Sequence, residues 1–258
     1  MRLMNAFGDR ARHSIISTVP GALGAREAID RGVAVDFPED HPPVIGKPAI
    51  GRYRDLARYM RGFDLVLTYN WGAMDAVGAR RLFGGPPLVH HEDGFNEDEA
   101  AGQKPVRVWF RRLMLGAADA LVVPSHVLER IAVTSWRQPR ARVHRIANGI
   151  ALERYHPRNA EEWTLKLVQG DEVIVGTIAG LRAVKNLPKL VRAFADSGVS
   201  GRLRIIGEGP ERAAIEHEAE AAGVADRVDL PGFNPDPASV IKQFDIFALS
   251  SDSEQQPI

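Results

Sequence analysis

The 258-residue sequence has no cysteine, so disulfides, zinc–thiolate sites and thiol catalysis are excluded, and a disulfide-stapled secreted fold with them. It also has no net charge. Its 33 lysines and arginines cancel 33 aspartates and glutamates, which removes the global positive field of a dedicated nucleic-acid binder and leaves any basic patch local. No apolar run approaches the roughly 18 residues needed to cross a bilayer. The opening MRLMNAFGDRARHSII lacks the long apolar stretch of a signal peptide, so the expectation is a cytoplasmic chain that neither spans a membrane nor is exported. No D-x-D metal motif occurs, and no metal site is expected. What remains is ordinary globular usage, 45% hydrophobic and 26% charged, at a length that fits one large domain or two modest ones.

Short β-branched apolar runs recur with helical stretches between them: HSIIS, VAVDF, DLVLTYN, PPLVHH, ALVVPS and VHRIAN. That alternation predicts a parallel sheet covered by helices. Before the first run, Leu3, Met4 and Phe7 fall on one helical face with Gly8 as a cap, so a helix precedes the first strand and an earlier element is expected to be missing. A stretch of turn residues and mixed charge, GIALERYHPRNAEEWTLKLVQGD, reads as a connection with a short helix at AEEWTLKL. A second series follows with strands at EVIVGTIAG, RLRIIGEG, VDLPGF and DIFALS. Leu187, Leu190, Val191 and Phe194 repeat at helical spacing, with Pro188 in the first turn and Gly198 past the end. GPERAAIEHEAEAAG has the same grammar, a helix opening at Pro210 and stopping at Gly223. The domains expected are 1–155 and 165–258, both α/β and of Rossmann type.

In open α/β sheets ligands sit beyond the carboxyl ends of the strands, so the residues after each strand carry the chemistry. Gly207 and Gly209 would let backbone approach a phosphate at the start of the helix opening at Pro210; the competing reading is a tight strand-to-helix turn and no more. Lys185 stands before another helix start, where its ammonium could neutralise a diphosphate. Glu254 follows SSDS at a strand mouth and offers a carboxylate to sugar or ribose hydroxyls. In the first half, PPLVHHEDGF gathers His90, His91, Glu92 and Asp93. Adjacent histidines on a strand point to opposite sides and cannot serve one metal. QKPVRVWFRRLMLGAADA sets Lys104, Arg107, Arg111 and Arg112 beside Val108, Trp109, Leu113 and Met114. That is the pattern of a basic amphipathic helix that touches anionic lipid, and equally of a helix covering a sheet, which is preferred.

The run VGTIAGLRAVKNLPKLVRAFA, followed in order by LRIIGEGPERAAIEHEA, VDLPGF and FDIFALSSDSE, resembles the donor-binding domain of the retaining glycosyltransferases of family four, which have the GT-B fold. VVPSHVLERI and RIANGIALERYHP, with Asn148 and Gly149, resemble the end of the family's first domain and its interdomain segment. The resemblance implies a nucleotide-sugar donor, UDP- or GDP-linked, with no further cofactor, and a saccharide or lipid-linked acceptor met on the first domain, with peripheral contact at the inner face of a membrane. It implies that Lys185 contacts the diphosphate, that Gly207 and Gly209 shape the donor loop, and that Glu254 is the first glutamate of an E-x7-E motif whose second member lies beyond Ile258. The family often has arginine where this chain has Gly180, with Arg182 as the substitute. A family histidine near the donor sugar corresponds to the segment where Asp93 aligns and His91 or His90 is the neighbouring imidazole. Rival readings are a truncated chain that binds partners without catalysis, and another nucleotide-sugar enzyme such as an epimerase. A dinucleotide oxidoreductase ranks lower, because GEGPERAA lacks the third glycine of G-x-G-x-x-G.

Overall fold

The computed structural model describes residues 1–18, 24–44, 46–47, 49–95, 99, 102–150, 152–155 and 172–254. The helix expected at AEEWTLKL and the last four residues of the tail lie outside them. The chain divides into two compact units, Met1–Ala147 and Asn148–Ile258.

The first unit begins with helix α1 (Arg2–Phe7), where the Gly8 amide donates to the Met4 carbonyl and turns the chain out of the helix. Strands β1 (His13–Ser14) and β2 (Val35–Asp36) form a short parallel pair of their own. The principal sheet is parallel, in the order β3 (Val66–Tyr69), β4 (Leu88–His91), β5 (Ala120–Val123) and β6 (Val143–Arg145). Helices α2 (Ile50–Met60), α3 (Met74–Phe83), α4 (Pro105–Met114) and α5 (His126–Thr134) alternate with these strands. The Ser125 hydroxyl caps α5 by accepting from the Leu128 amide at 3.2 Å. Leu56, Val77, Leu88, Leu121, Leu128 and Trp136 form the centre of one apolar core.

The second unit has a parallel sheet in the order β10 (Ile246–Phe247), β7 (Val173–Ile178), β8 (Gly201–Ile206) and β9 (Val228–Gly232). The first strand of this series therefore lies inside the sheet, flanked by the second and the last, as in a doubly wound sheet. Helix α6 (Leu187–Asp196) buries the four predicted residues Leu187, Leu190, Val191 and Phe194 against it. Helix α7 (Arg212–Ala221) buries Ile215 and Ala219, and short α8 (Pro237–Ile241) packs Val240 near Phe244 and Ile206. One boundary differs from the expectation: α7 opens at Arg212 rather than Pro210. The Glu211 amide donates to the Leu181 carbonyl at 3.0 Å and the Arg212 amide to Gly209 at 3.4 Å, so Pro210 and Glu211 complete a turn before the helix starts.

Candidate functional site

In the second unit β7 and β10 are neighbours, so the loops leaving their carboxyl ends meet although some 65 to 69 residues separate them. After β7 the chain runs through Ala179, Gly180, Leu181 and Arg182 into a single 3-10 turn, Ala183–Lys185. Asn186 then takes a left-handed conformation (φ 44°) and starts α6. The 250–254 loop fastens onto this turn. The Ser250 hydroxyl donates to the Lys185 carbonyl at 2.9 Å, and the Asp252 amide to Val184 at 3.0 Å. The Asn186 side-chain amide donates to Asp252 at 2.9 Å. At the mouth, the Lys185 ammonium donates to Glu254 Oε1, which also accepts from the Ser251 hydroxyl at 2.7 Å.

Partial burial alone would raise the Glu254 pKa. Hydrogen bonds from Lys185 and Ser251, together with the charges of Lys185 and Arg182, outweigh it and hold the carboxyl below the usual glutamate range. The two residues that the family resemblance assigns to diphosphate and sugar thus hold each other. Arg182 is exposed beside them.

Gly207 and Gly209 have a structural reason for being glycine. Gly207 has φ +145°, and a Cβ there would overlap the Ala179 carbonyl, while one on Gly209 would overlap that of Leu181. The Gly207 amide already donates to Gly232 at 2.9 Å, and the Leu181 amide donates to Glu208 at 2.9 Å. At the opening of α7 the amides of Gly207, Glu211 and Arg212 donate to the carbonyls of Gly232, Leu181 and Gly209, so the donor-loop role expected of the two glycines stands beside a structural one. The glycines act on the site by letting the 179–182 segment lie flat against the β8 exit.

In the first unit the analogous mouth lies where β3 and β4 end. Tyr69 and His91 face each other across the strands, their rings stacked 4.6 Å apart and 21° from parallel. Asn70 has φ 56°, its amide donates to the His91 carbonyl at 2.7 Å, and its Oδ1 accepts from the Asp93 amide at 2.7 Å. His91 is pushed below the ordinary imidazole range, burial outweighing the nearby Asp93 charge, with His90 adding to the depression. The Asp93 carboxyl is pushed up, chiefly by partial burial; His91 draws it down and Glu92 pushes it higher. His90 points the other way, fully buried, with Nδ1 2.8 Å from the Thr68 hydroxyl. Of the two histidines, the structure leaves only His91 at the mouth.

Beneath this loop lies a charged core that the sequence reading missed. Arg111 is fully buried on α4, with Nε 3.1 Å from Glu92 and Nη1 3.4 Å from Glu99, and Arg107 reaches Glu99 at 2.9 Å. The Arg111 guanidinium lies 5.0 Å from the ring centroids of both Trp71 and Trp136 and 5.6 Å from that of Phe95. The i, i+4 spacing of Arg107 and Arg111 was the available signal that both face one way. With α4 turned so, Val106, Trp109 and Leu113 are 80%, 66% and 57% exposed, and Arg112 stacks over Trp109 at 5.1 Å. A hollow of about 570 Å³ between β8, β9 and α8 contains none of the candidate residues, and its Arg204 is spent on Asp229 and Gln243. The strand mouths, where unlike charges and perturbed groups converge, are the better candidates.

Residues 160–258 match the family model "Glycosyl transferases group 1", and residues 2–154 match "Glycosyltransferase Family 4". Among curated relatives, the chain is 30% identical over 192 residues to EpsF of Bacillus subtilis (strain 168), described as a candidate glycosyltransferase. The alignment takes in 70% of this chain and 49% of EpsF, so the chain spans about half the length of that relative. Among solved structures, Anabaena Alr3699/HepE in complex with UDP superposes with a TM-score of 0.72 at 17% identity, covering 97% of this chain and 69% of that one. Sucrose-phosphate synthase from Thermosynechococcus elongatus gives 0.65 at 18% identity, covering 87% and 61%. These likenesses show the GT-B fold.

Proposed function

Because the chain belongs to Glycosyltransferase Family 4, we propose that it takes part in moving a sugar from a nucleotide-sugar donor, UDP- or GDP-linked, to a hydroxyl of a saccharide or lipid-linked acceptor, with retention at the anomeric carbon. The observation that carries this reading is the group of Arg182, Lys185 and Glu254 at the adjoining mouths of β7 and β10. Lys185 and Arg182 would present fixed positive charge to a departing nucleotide diphosphate, stabilising the charge that develops as the glycosidic bond to phosphate breaks. Glu254 would turn from Lys185 to the hydroxyls of the transferred sugar as the diphosphate takes its place. In the first unit, burial lowers the pKa of His91 and raises that of Asp93 beside it, and the two offer an imidazole and a carboxyl group to sugar hydroxyls. That two UDP-bound structures of HepE share this fold supports a uridine nucleotide as the first to test. The setting we propose is glycan, exopolysaccharide or lipid-linked saccharide synthesis in the cytoplasm.

Titration calorimetry of the chain with UDP, GDP and their glucose conjugates tests the donor assignment. We expect one of the nucleotides to bind, and Lys185→Ala to weaken it by about tenfold or more, the loss of one charge-assisted hydrogen bond. Equal affinity in the variant would sink the role given to Lys185. The stereochemistry is read separately, from the anomeric proton coupling of the first product formed.

A further inference from the structure

We propose that Asn70 is a positioning residue that sets the height and orientation of His91 and Asp93 at the mouth of the first unit. The inference rests on the reading that this mouth takes part in sugar transfer, and it goes beyond that reading by naming what holds the pair in place. Three independent observations meet at this residue. First, Asn70 is one of only three non-glycine residues with positive φ among the described residues, and its φ of 56° with ψ of −176° falls in a region otherwise almost confined to glycine, a conformation that persists only where surrounding bonds hold it. Second, that conformation lets one residue bond twice to the neighbouring strand: its amide donates to the His91 carbonyl and its side-chain oxygen accepts from the Asp93 amide, both at 2.7 Å. The residue between them, Glu92, is held from the other side, its amide donating to Val122 at 3.0 Å and its carboxylate bound by buried Arg111.

Third, the floor under both strand ends is one structure. Trp71, next to Asn70, lies against the same Arg111 guanidinium that holds Glu92, so neither end can shift freely relative to the core. A buried ion pair contributes little net stability over well-packed apolar side chains, whereas removing one partner leaves an uncompensated charge. The Arg111–Glu92 contact therefore specifies position. What it leaves adjustable is the surface turn from His91 to Asp93, and Asn70 spans that turn. The neighbouring Tyr69 ring, stacked on the imidazole, fixes the face that His91 presents. A shift of the order of an ångström at groups that orient a reactant can cost about a hundredfold in rate, so a residue that ties both candidates has leverage out of proportion to its own contacts.

The test separates the backbone from the side chain. Asn70→Gly keeps access to φ 56° and removes the acceptor; Asn70→Asp keeps an acceptor at the same place. Proton and nitrogen NMR of the full chain reads His91 directly. In Asn70→Gly we expect the Tyr69–His91 ring contacts to weaken and the imidazole to titrate higher, towards its ordinary value, as it gains water. In Asn70→Asp the ring contacts should return. With a nucleotide sugar that the chain turns over, Asn70→Gly should lower kcat about tenfold to a hundredfold with KM for the donor changed little. Unaltered His91 titration and ring contacts in Asn70→Gly would overturn the proposal whatever the activity. His91→Ala and Asp93→Asn serve as the control on the functional reading: full activity in both would overturn that reading while the NMR result still decides whether Asn70 positions the turn.

Discussion

Lys185 and Glu254 are the residue pair on which the proposed donor site turns, and their ion pair has a measurable signature. Because the Glu254 carboxyl is held below its ordinary value, the pair's stabilisation is complete above the usual glutamate pKa of about 4.3 and is lost as pH falls through the lower folded value. Both side chains are less than one-third exposed, so solvent weakens the pair only in part, and a contribution of about 1 kcal/mol is expected. Urea unfolding of wild type and Glu254→Gln should therefore differ by about that amount at pH 7 and converge towards pH 3. A difference that stays constant over that range would mean the carboxylate stabilises nothing through its charge. Lys185 itself was legible in the sequence, as a cation before a helix start. Glu254 was legible too, as a carboxylate at a strand mouth, but their pairing was not, since 69 residues separate the two and only the adjacency of β7 and β10 brings them together.

Two elements show how local pattern and tertiary placement divide the work. The G-E-G turn was legible as a place where backbone is approached closely, but the approaching group is the 179–181 segment of the protein itself. Gly207→Ala would force a Cβ against a carbonyl that belongs to the sheet's central loop, and no side chain can give way. We expect a loss of about 2 to 4 kcal/mol and weakened nucleotide binding. Wild-type melting behaviour in this variant would show that the segment lies elsewhere. Helix α4 is the second case. Its periodicity predicted a helix correctly, yet Arg107 and Arg111 face inward on Glu99 and Glu92 while Val106, Trp109 and Leu113 face outward. Tryptophan flanked by arginine on an exposed helical face is the composition of interfacial helices. We expect the chain to sediment with vesicles of phosphatidylcholine and phosphatidylglycerol in equal parts, and Trp109→Ser to reduce the bound fraction about tenfold. Sedimentation that Trp109→Ser leaves unchanged would assign the stripe to something other than lipid.

For the whole molecule, two α/β units, each with its own core, lead to a prediction about where ligand energy goes. At a hundredfold excess over its dissociation constant a nucleotide stabilises the folded protein by about 2.7 kcal/mol. In hydrogen-exchange mass spectrometry that protection should concentrate in residues 179–186 and 250–254, where the candidate groups lie. Protection that rose mainly in β3 to β6 would place the nucleotide on the first unit and contradict the donor assignment. No helix among the described residues is long and apolar enough to cross a membrane.

By itself the sequence determined the element order, the parallel α/β class and the strand mouths at which chemistry would collect. These depend on hydrophobic period, turn residues and caps, all local in the chain. Tertiary structure alone decided which of two adjacent histidines faces solvent, which way α4 turns, and that Asn70 bridges His91 to Asp93. It alone joined Lys185 to Glu254. Each of these depends on strand order and on the burial of one particular face, and a pattern of period two or 3.6 gives the faces without saying which neighbour each will meet.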